Sequence, residues 1–338
     1  MKVSDLGEFG LIDRLAEVLA AQGGPELSGR LAVGIGDDAA VWRGENEALI
    51  ATTDTLVQDV HFLAGRTPWR DLGWKALAVN VSDIAAMGGT PDFALVTLVL
   101  SSDEDAEAID ELYRGLAEAG EAFGVAIAGG DIVHGPTTIV SVALTGHGEL
   151  DEHGEPLVLR RNAARDGDVV AVTGALGGAS CGLRLLRADG DGSEDARALI
   201  ARHLRPQPRL EAGRAALAAG IRCGIDVSDG LLQDLGQVCK ASRLGATVWR
   251  DKVPVDPALR ALDAEDALRC AVAGGEDYEL LLVGDAAQIE QLRNALDVPL
   301  TVIGEMVIET EHRAVLLDEH AKEIDVPSGG WDHLRSEA

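Results

Sequence analysis

The spacing of apolar and polar residues in the first half of the chain predicts strands and helices that alternate. Short apolar runs bounded by turn residues are typical of buried strands, and longer stretches with helical spacing are typical of helices. We expect strands at residues 49–52, 93–100, 125–128 and 138–146, and helices at 74–87 and 103–123. Gly88 and Gly89 directly follow the first helix, where glycine commonly ends one.

Polar, turn-rich sequence between residues 149 and 168 separates this half from a second one. There we expect strands at 169–173, near 225, at 279–283 and at 301–304, with helices from about Ser180 and up to Lys240. Because the strands do not follow strict β-α-β order, mixed α+β layers and a doubly wound α/β sheet are equally compatible with the pattern. The length of 338 residues suggests two domains, which we place at 1–150 and 151–338.

The charge of the chain excludes some classes of partner. Acidic residues number 57 against 29 basic ones, which gives a formal net charge of −28 at pH 7. Such a field repels nucleic acid and anionic membrane surfaces, so neither is expected as a partner. The four cysteines form no Cys-x-x-Cys pair, and the N-terminal sequence does not resemble a secretory signal. We therefore expect a cytoplasmic protein with reduced thiols.

Acidic residues recur beside glycine and at the ends of predicted strands. They lie in the segments 34–38, 52–54, 129–131, 226–230 and 274–277. Asp83 lies inside an apolar helix, on a face shared with Asn80, and has no base at helical spacing. Singly, each has an ordinary explanation in turn chemistry, and Ser228 with Asp229 would cap the following helix. As a set, they predict a site for a hard cation such as Mg²⁺, because strand ends and glycine turns meet where α/β folds bind ligands.

The glycine-rich segment 174–178 stands between a predicted strand and a predicted helix. In that position its backbone N–H groups could hold a phosphate. It lacks the Lys-Ser/Thr ending of a Walker loop, so we favour a tight packing turn.

Nine sequence blocks, in order from about residue 5 to 334, resemble the thiamine-monophosphate kinase family. They are 34–40, 52–57, 61–62, 75–83, 129–131, 202–209, 226–231, 274–280 and 330–333. The resemblance implies a two-domain α/β fold like that of aminoimidazole-ribonucleotide synthetase, with the N-terminal domains of a homodimer pairing into a β-barrel. It further implies phosphorylation of thiamine monophosphate to thiamine diphosphate with ATP and Mg²⁺, the last step of thiamine diphosphate biosynthesis.

By matched position, the resemblance also implies residue roles. The residues that would hold several Mg²⁺ ions are Asp38, Thr52, Thr53, Asp54, Asp83, Asp131, Asp226 and Asp229. The nucleotide would contact Gly130, Asp131, Arg161 (or its neighbour Arg160) and Ser228, and thiamine monophosphate would contact His61, Glu276 and Trp331. Glu276 would face the cationic thiazolium ring, and Trp331 would stack on it.

The implied reaction needs no general base. Its nucleophile is a phosphate oxygen, which is largely deprotonated at neutral pH because the second pKa of a phosphate monoester is about 6. The obstacle is repulsion between two anions, which bound Mg²⁺, held by Asp54, Asp83 and Asp131 among others, would relieve during in-line transfer.

Other interpretations fit the sequence less well. A selenophosphate synthetase would have a reactive cysteine near its N-terminus, whereas the first cysteine here is Cys181. The hydrogenase-maturation relative would end in a cysteine, and aminoimidazole-ribonucleotide synthetase lacks the block at 274–280. From another class, a Mg²⁺- or Ca²⁺-binding protein without turnover stays open as an alternative.

Overall fold

Two β-sheets, one in each half of the chain, carry the fold. The computed structural model describes residues 9–14, 31–188 and 192–326. The first sheet has the strand order β1-β2-β3-β6-β4-β5, and its neighbours are antiparallel except for the parallel pair β4–β5. Its strands are β1 (Leu31–Val33), β2 (Ala40–Arg43), β3 (Ala48–Val57), β4 (Thr90–Leu100), β5 (Ala126–His134) and β6 (Ile139–Gly148). Helices α1 (Trp69–Ala86) and α2 (Ala106–Phe123) pack on one face.

The second sheet has seven strands in the order β13-β12-β9-β11-β7-β10-β8. They are β7 (Val169–Thr173), β8 (Cys223–Asp226), β9 (Gly245–Trp249), β10 (Leu280–Gly284), β11 (Leu300–Val307), β12 (Ala314–Leu317) and β13 (Glu323–Ile324). The helices of this half are α3 (Gly178–Arg187), α4 (Glu194–Leu204), α5 (Leu210–Ala218), α6 (Leu231–Ser242), α7 (Pro257–Leu262), α8 (Ala267–Ala273) and α9 (Ala286–Ala295). Only the β9–β12 pair is parallel among these strands, so the structure has mixed α+β layers and no doubly wound parallel sheet.

Most of the predicted helices and strands are present in the structure, but many of them begin or end at other residues than predicted. The strand at 169–173 is confirmed with the predicted bounds, and α1 begins at Trp69, five residues before the predicted start. The short strand predicted at 125–128 continues to His134, through glycines that suggested a turn. The domain boundary at residue 150 stays a prediction, and it lies between the two sheets.

Helix α1 is buried on all sides from Leu72 to Ala86, with only Asp83 partly exposed, as fits the apolar helix expected from the sequence. It packs on the first sheet and α2, and its end also contacts α5 from the second half. Lys75, Asn80 and Ser82 are buried together with the apolar residues of the helix. Polar side chains in such a helix need partners within the protein.

Two glycines allow α1 and α2 to approach closely. A Cβ atom on Gly73 would lie 2.0 Å from the carbonyl oxygen of Leu112, and one on Gly115 would lie 1.8 Å from that of Arg70. Backbone therefore contacts backbone at this crossing, and side chains cannot relax around an added methyl group. Among the described residues, none of the helices is both long and apolar enough to cross a membrane.

The substitution Gly115→Ala tests this packing. We expect it to lower the free energy of unfolding by about 1–3 kcal/mol or more, because the methyl group overlaps a carbonyl oxygen. Urea unfolding followed by circular dichroism measures the change. Gly236→Ala, inside α6 with nothing within 4 Å of its Cβ position, is the matched control and should stabilise by about 0.5–1 kcal/mol. Equal effects of the two substitutions would contradict the close crossing.

Candidate active site

A cavity of about 1360 Å³ lies where the two halves of the chain meet. Most of the residues assigned to the site from the sequence line it. Those from the first half are Asp38, Thr52, Thr53, Asp54, His61 and Asp83, and those from the second are Arg161, Asp226, Ser228, Asp229 and Glu276. The fold therefore brings together residues that are up to 238 positions apart, from Asp38 to Glu276.

Three carboxylates form a compact cluster at this cavity. Asp38 follows β1, Asp83 lies near the end of α1, and Asp226 ends β8. One carboxylate oxygen from each lies within 4.8 Å of the other two. The side chain of Asp38 is only 2% exposed, and its Oδ2 has no hydrogen-bond partner among the residues that the structure describes.

Burial raises the pKa values of two of these acids, Asp83 and Asp226. Burial raises the pKa of Asp83 well above its usual range, and the charges of Asp54, Asp226 and Asp38 add to the effect. Burial and Asp38 likewise raise the pKa of Asp226 to about 8. A group of oxygen ligands with an unpartnered buried oxygen fits a hard cation such as Mg²⁺. No histidine or cysteine belongs to this described cluster, which disfavours a transition metal.

Hydroxyl groups orient two of the three carboxylates. Thr52 Oγ1 donates to Asp83 Oδ2 at 2.5 Å, and Ser82 Oγ donates to Asp226 Oδ2 at 2.5 Å. Ser82 was not predicted as part of the site. Two consecutive residues of α1 therefore take part in the cluster. Ser82 donates to the carboxylate of Asp226, and Asp83 supplies a carboxylate of its own.

Strand β3 is fixed beside the cluster by a buried amide. The backbone N–H of Asp54 donates to Asn80 Oδ1 at 3.0 Å, and Asn80 Nδ2 donates to the carbonyl oxygen of Ala76 at 3.0 Å. Thr53 points to the other face of the sheet, where its Oγ1 donates to the carbonyl oxygen of Val142 at 3.0 Å. Asn80 therefore joins α1 to the strand that carries Asp54.

Arg161 links the cluster to the second half of the chain. Its Nη2 donates to Asp38 Oδ1 at 2.6 Å, and its backbone N–H donates to Asp37 Oδ1 at 3.0 Å. Burial raises the pKa of Asp37 to about 6, with a further contribution from Asp38. Of the two adjacent arginines, Arg161 lines the cavity, whereas Arg160 is not among its lining residues.

The turn that carries Ser228 and Asp229 is held by Asp234, a residue that sequence reasoning missed. Asp234 Oδ2 accepts hydrogen bonds from the backbone N–H groups of Ser228, Asp229 and Gly230, each at 3.0 Å. The suggested capping of α6 by Ser228 and Asp229 is wrong, since the helix begins after Gly230 without a side-chain cap. Both side chains line the cavity instead.

Glu276 is held by two buried bases. Its Oε1 lies 2.6 Å from Lys75 Nζ, and its Oε2 lies 2.9 Å from His203 Nδ1. Burial would raise the pKa of Glu276, but Lys75 and His203 outweigh that effect, and the pKa lies well below its usual range. The sequence signal for this contact is a lysine inside an apolar helix, Lys75.

The glycine-rich segment 174–178 is a packing turn, as predicted. Asp277 Oδ2 accepts from the backbone N–H of Gly177 at 2.6 Å, and its Oδ1 accepts from that of Ala179 at 3.1 Å. A carboxylate of the protein thus occupies the N-terminus of α3, where a phosphate would bind.

Asp131 lies on the first sheet but away from the carboxylate cluster. In the sheet register Asp131 pairs with Thr97, Thr97 with Ser141, and Ser141 with Thr55. Directly paired residues share a face, so Asp131 and Thr55 face away from α1 and α2. Three strand spacings, roughly 14 Å in total, separate β5 from β3. Gly130 and Asp131 are absent from the cavity lining, and Trp331 lies outside the described residues.

Comparison with known proteins identifies the class of protein and then the family. The domain family "AIR synthase related protein, N-terminal domain" matches residues 36–150, and the corresponding C-terminal domain family matches residues 165–316. The chain thus has the two-domain α/β fold of the AIR synthase related proteins.

Curated relatives narrow this class. Thiamine-monophosphate kinase of Escherichia coli (strain K12) is 38% identical over 97% of this chain and 98% of the relative. The Bacillus subtilis (strain 168) enzyme is 34% identical over 90% of this chain and 94% of the relative. The solved structure of AaThiL complexed with AMPPCP and TMP has a TM-score of 0.85 at 30% identity, covering 98% of this chain and 99% of that one. The chain belongs to the thiamine-monophosphate kinase family.

Replacing Asp83 by Asn tests whether the carboxylate cluster holds a cation. The raised pKa values mean that the folded metal-free protein binds more protons than the unfolded chain, so its stability falls as pH rises from 3.8 to about 8. Removing one repelling charge should raise the melting temperature in EDTA at pH 8 by about 2 °C or more, the shift given by roughly 1 kcal/mol. In thermal unfolding experiments, added Mg²⁺ should then raise the melting temperature of the wild type and leave that of Asp83→Asn unchanged.

The control for this experiment is Asp251→Asn, an exposed acid outside the cavity. It should respond to Mg²⁺ as the wild type does. A full Mg²⁺-dependent shift in Asp83→Asn would remove the cluster as the cation site.

Proposed function

We propose that the protein transfers the γ-phosphoryl group of ATP to thiamine monophosphate by direct in-line displacement with Mg²⁺, giving ADP and thiamine diphosphate. The observation that carries this proposal is the cluster of Asp38, Asp83 and Asp226 at a cavity shared by both halves of the chain. Membership of the thiamine-monophosphate kinase family supports the reaction and its two substrates. Bound Mg²⁺ would neutralise the phosphate charges that otherwise repel each other.

The residues of the chain would bind and orient the two substrates. Asp38, Thr52, Thr53, Asp54, Asp83, Asp226 and Asp229 would hold Mg²⁺, because all of them line the cavity and offer carboxylate or hydroxyl oxygens. Arg161 and Ser228 would contact the nucleotide from the second half. His61 Nδ1 accepts a hydrogen bond from the backbone N–H of Val57 at 3.1 Å, so the ring carries its proton on Nε2 and would donate there to thiamine monophosphate. Glu276 would meet the thiazolium ring, and Trp331 completes the proposed contacts.

No general base is required by this arrangement. The attacking oxygen belongs to a phosphate monoester, so it is largely deprotonated at neutral pH. It forms a bond to the γ-phosphorus while the bond to the ADP oxygen breaks, and the catalytic demand is alignment and charge compensation.

We further propose that the protein is a homodimer in the cytoplasm, paired through the open face of the first sheet. Phe93 and Leu95 on β4 are 57% and 52% exposed on this face, and an exposed edge strand next to them favours pairing with another copy. Asp131 lies on the same face. We propose that Asp131 and Gly130 bind metal and nucleotide only in the dimer, where the second copy would place its own cavity next to them.

The substitution Asp54→Asn tests the catalytic proposal. A neutral amide cannot replace a metal-bound carboxylate, so we expect kcat to fall by about 100-fold or more with the fold intact. The measurement is a coupled assay for ADP with ATP, Mg²⁺ and thiamine monophosphate, beside free thiamine as the alternative acceptor. Asp251→Asn, outside the cavity, should keep wild-type turnover. Near-normal turnover by Asp54→Asn would remove it from the site, and preference for free thiamine would overturn the phosphate nucleophile.

Calorimetry with Mg²⁺, ATP and thiamine monophosphate separates the kinase from a metal-binding protein without turnover. A kinase should bind both substrates when Mg²⁺ is present. Binding of the metal without affinity for either substrate would favour the alternative.

The substitution Phe93→Glu tests the dimer. A charge at the centre of an apolar paired face should shift the protein from dimer to monomer in analytical ultracentrifugation. Ile308→Glu, at a residue that directly follows β11 and is 80% exposed, is the control and should leave the mass unchanged. A monomeric wild type would contradict the proposal.

A further inference from the structure

The contact between Lys75 and Glu276 joins the two halves of the chain directly behind the cavity wall. Lys75 belongs to α1 and is 1% exposed, while Glu276 lies in the second half and lines the cavity. Lys75 Nζ also donates to the carbonyl oxygen of His61 at 3.4 Å. One buried ammonium group therefore contacts the two described residues that we propose for thiamine monophosphate binding.

His203 fixes the second oxygen of the same carboxylate. It lies at the end of α4, is 1% exposed, and places Nδ1 2.9 Å from Glu276 Oε2. Burial and the charge of Lys75 lower the pKa of His203, and the carboxylate of Glu276 offsets only part of that effect. Each oxygen of Glu276 thus has its own base, and rotation of the carboxylate would break both contacts.

The backbone of Glu276 is held as firmly as its side chain. Its φ of 69° lies in the left-handed region, which residues other than glycine adopt at a cost, and Tyr278 follows with φ of 51°. The backbone N–H of Glu276 donates to the carbonyl oxygen of Ser228 at 2.7 Å, and that of Tyr278 donates to Val227 at 2.9 Å. Such strain persists where surrounding contacts impose it, and it is common at ligand sites.

A buried ion pair is a poor device for stability alone. Removing two charges from water is costly, and well-packed apolar residues often serve the fold equally well. Lys75 nevertheless lies in an otherwise apolar stretch of α1, and its partner faces the cavity. A role in orienting the carboxylate of Glu276 would explain why this buried ion pair is present.

We propose that Lys75 and His203 are positioning residues that act through Glu276 and fix its carboxylate for the acceptor substrate. This inference rests on the proposed function, since it concerns the thiamine monophosphate subsite. Because Lys75 compensates the charge of Glu276, the carboxylate offers the ligand an oriented acceptor edge more than a net negative charge.

A double-mutant cycle on the purified full chain tests this proposal. Glu276→Gln and Lys75→Met should each raise the KM for thiamine monophosphate about tenfold, the loss expected for one charge-assisted hydrogen bond. The KM for ATP should stay within about twofold in both. If Lys75 acts through Glu276, then Lys75→Met in the Glu276→Gln background should add less than about twofold, because its target is already lost. Lys75→Arg, which keeps the charge, should recover part of the affinity.

The matched control is Lys252→Met, an exposed lysine beside Asp251 and outside the cavity, which should leave both KM values unchanged. If Lys75→Met does not fold, the same cycle with His203→Leu decides the question, and His203→Gln serves as the variant that keeps a polar side chain. Multiplicative effects of the two substitutions on KM, or equal effects on the ATP and acceptor KM, would overturn the positioning role. If the wild type does not turn over thiamine monophosphate, the proposed function is overturned as well. If the wild type is active but the free-energy effects of the two substitutions add, only the positioning role is overturned.

Discussion

Repulsion among Asp38, Asp83 and Asp226 is the constraint around which the rest of the site is arranged. Carboxylates within 4.8 Å of one another in a buried place are unfavourable unless donors, protons or a cation compensate them. The chain supplies donors to each: Arg161 to Asp38, Thr52 to Asp83 and Ser82 to Asp226. Each donor also restricts the carboxylate that it contacts. The interactions that make the burial of these acids tolerable therefore also set their geometry.

Helix α1 distributes polar contacts from one rigid element to both halves of the chain. Lys75 and Ser82 are seven residues apart, lie on the same side of the helix, and contact Glu276 and Asp226 in the second half. Asn80 contacts the strand of Asp54 in the first half. A displacement of α1 would move the carboxylate cluster and the contact with Glu276 together. The glycine-mediated contact with α2 therefore supports the chemistry as well as the core.

The sequence allowed the elements and the acidic segments to be predicted, but few of the contacts between them. The strand at Val169–Thr173 follows from a local apolar run, and Asp38, Asp83 and Asp226 were singled out by glycine neighbours or by a charge in an apolar helix. Burial of α1 on all sides was not predictable from spacing, because period alone does not show how many neighbours a helix has. The partner of Lys75 lies 201 positions away, at Glu276, and no local pattern encodes such a pairing. Asp131 shows the same limit in another form, since the sequence did not indicate that it lies on the face of the first sheet turned away from α1 and α2.

Because the cluster draws on residues 38, 83 and 226, it cannot exist until most of the chain has been synthesised. A ribosome-bound chain that has completed the first sheet contains Asp38, Asp83 and Lys75, but it lacks Asp226, Arg161 and Glu276. Lys75 at that stage is a cation without its counter-charge, and α1 has no second half to cover it. The order of translation therefore keeps the emerging first half from assembling the three-carboxylate site, which is complete only once the second half packs against the first.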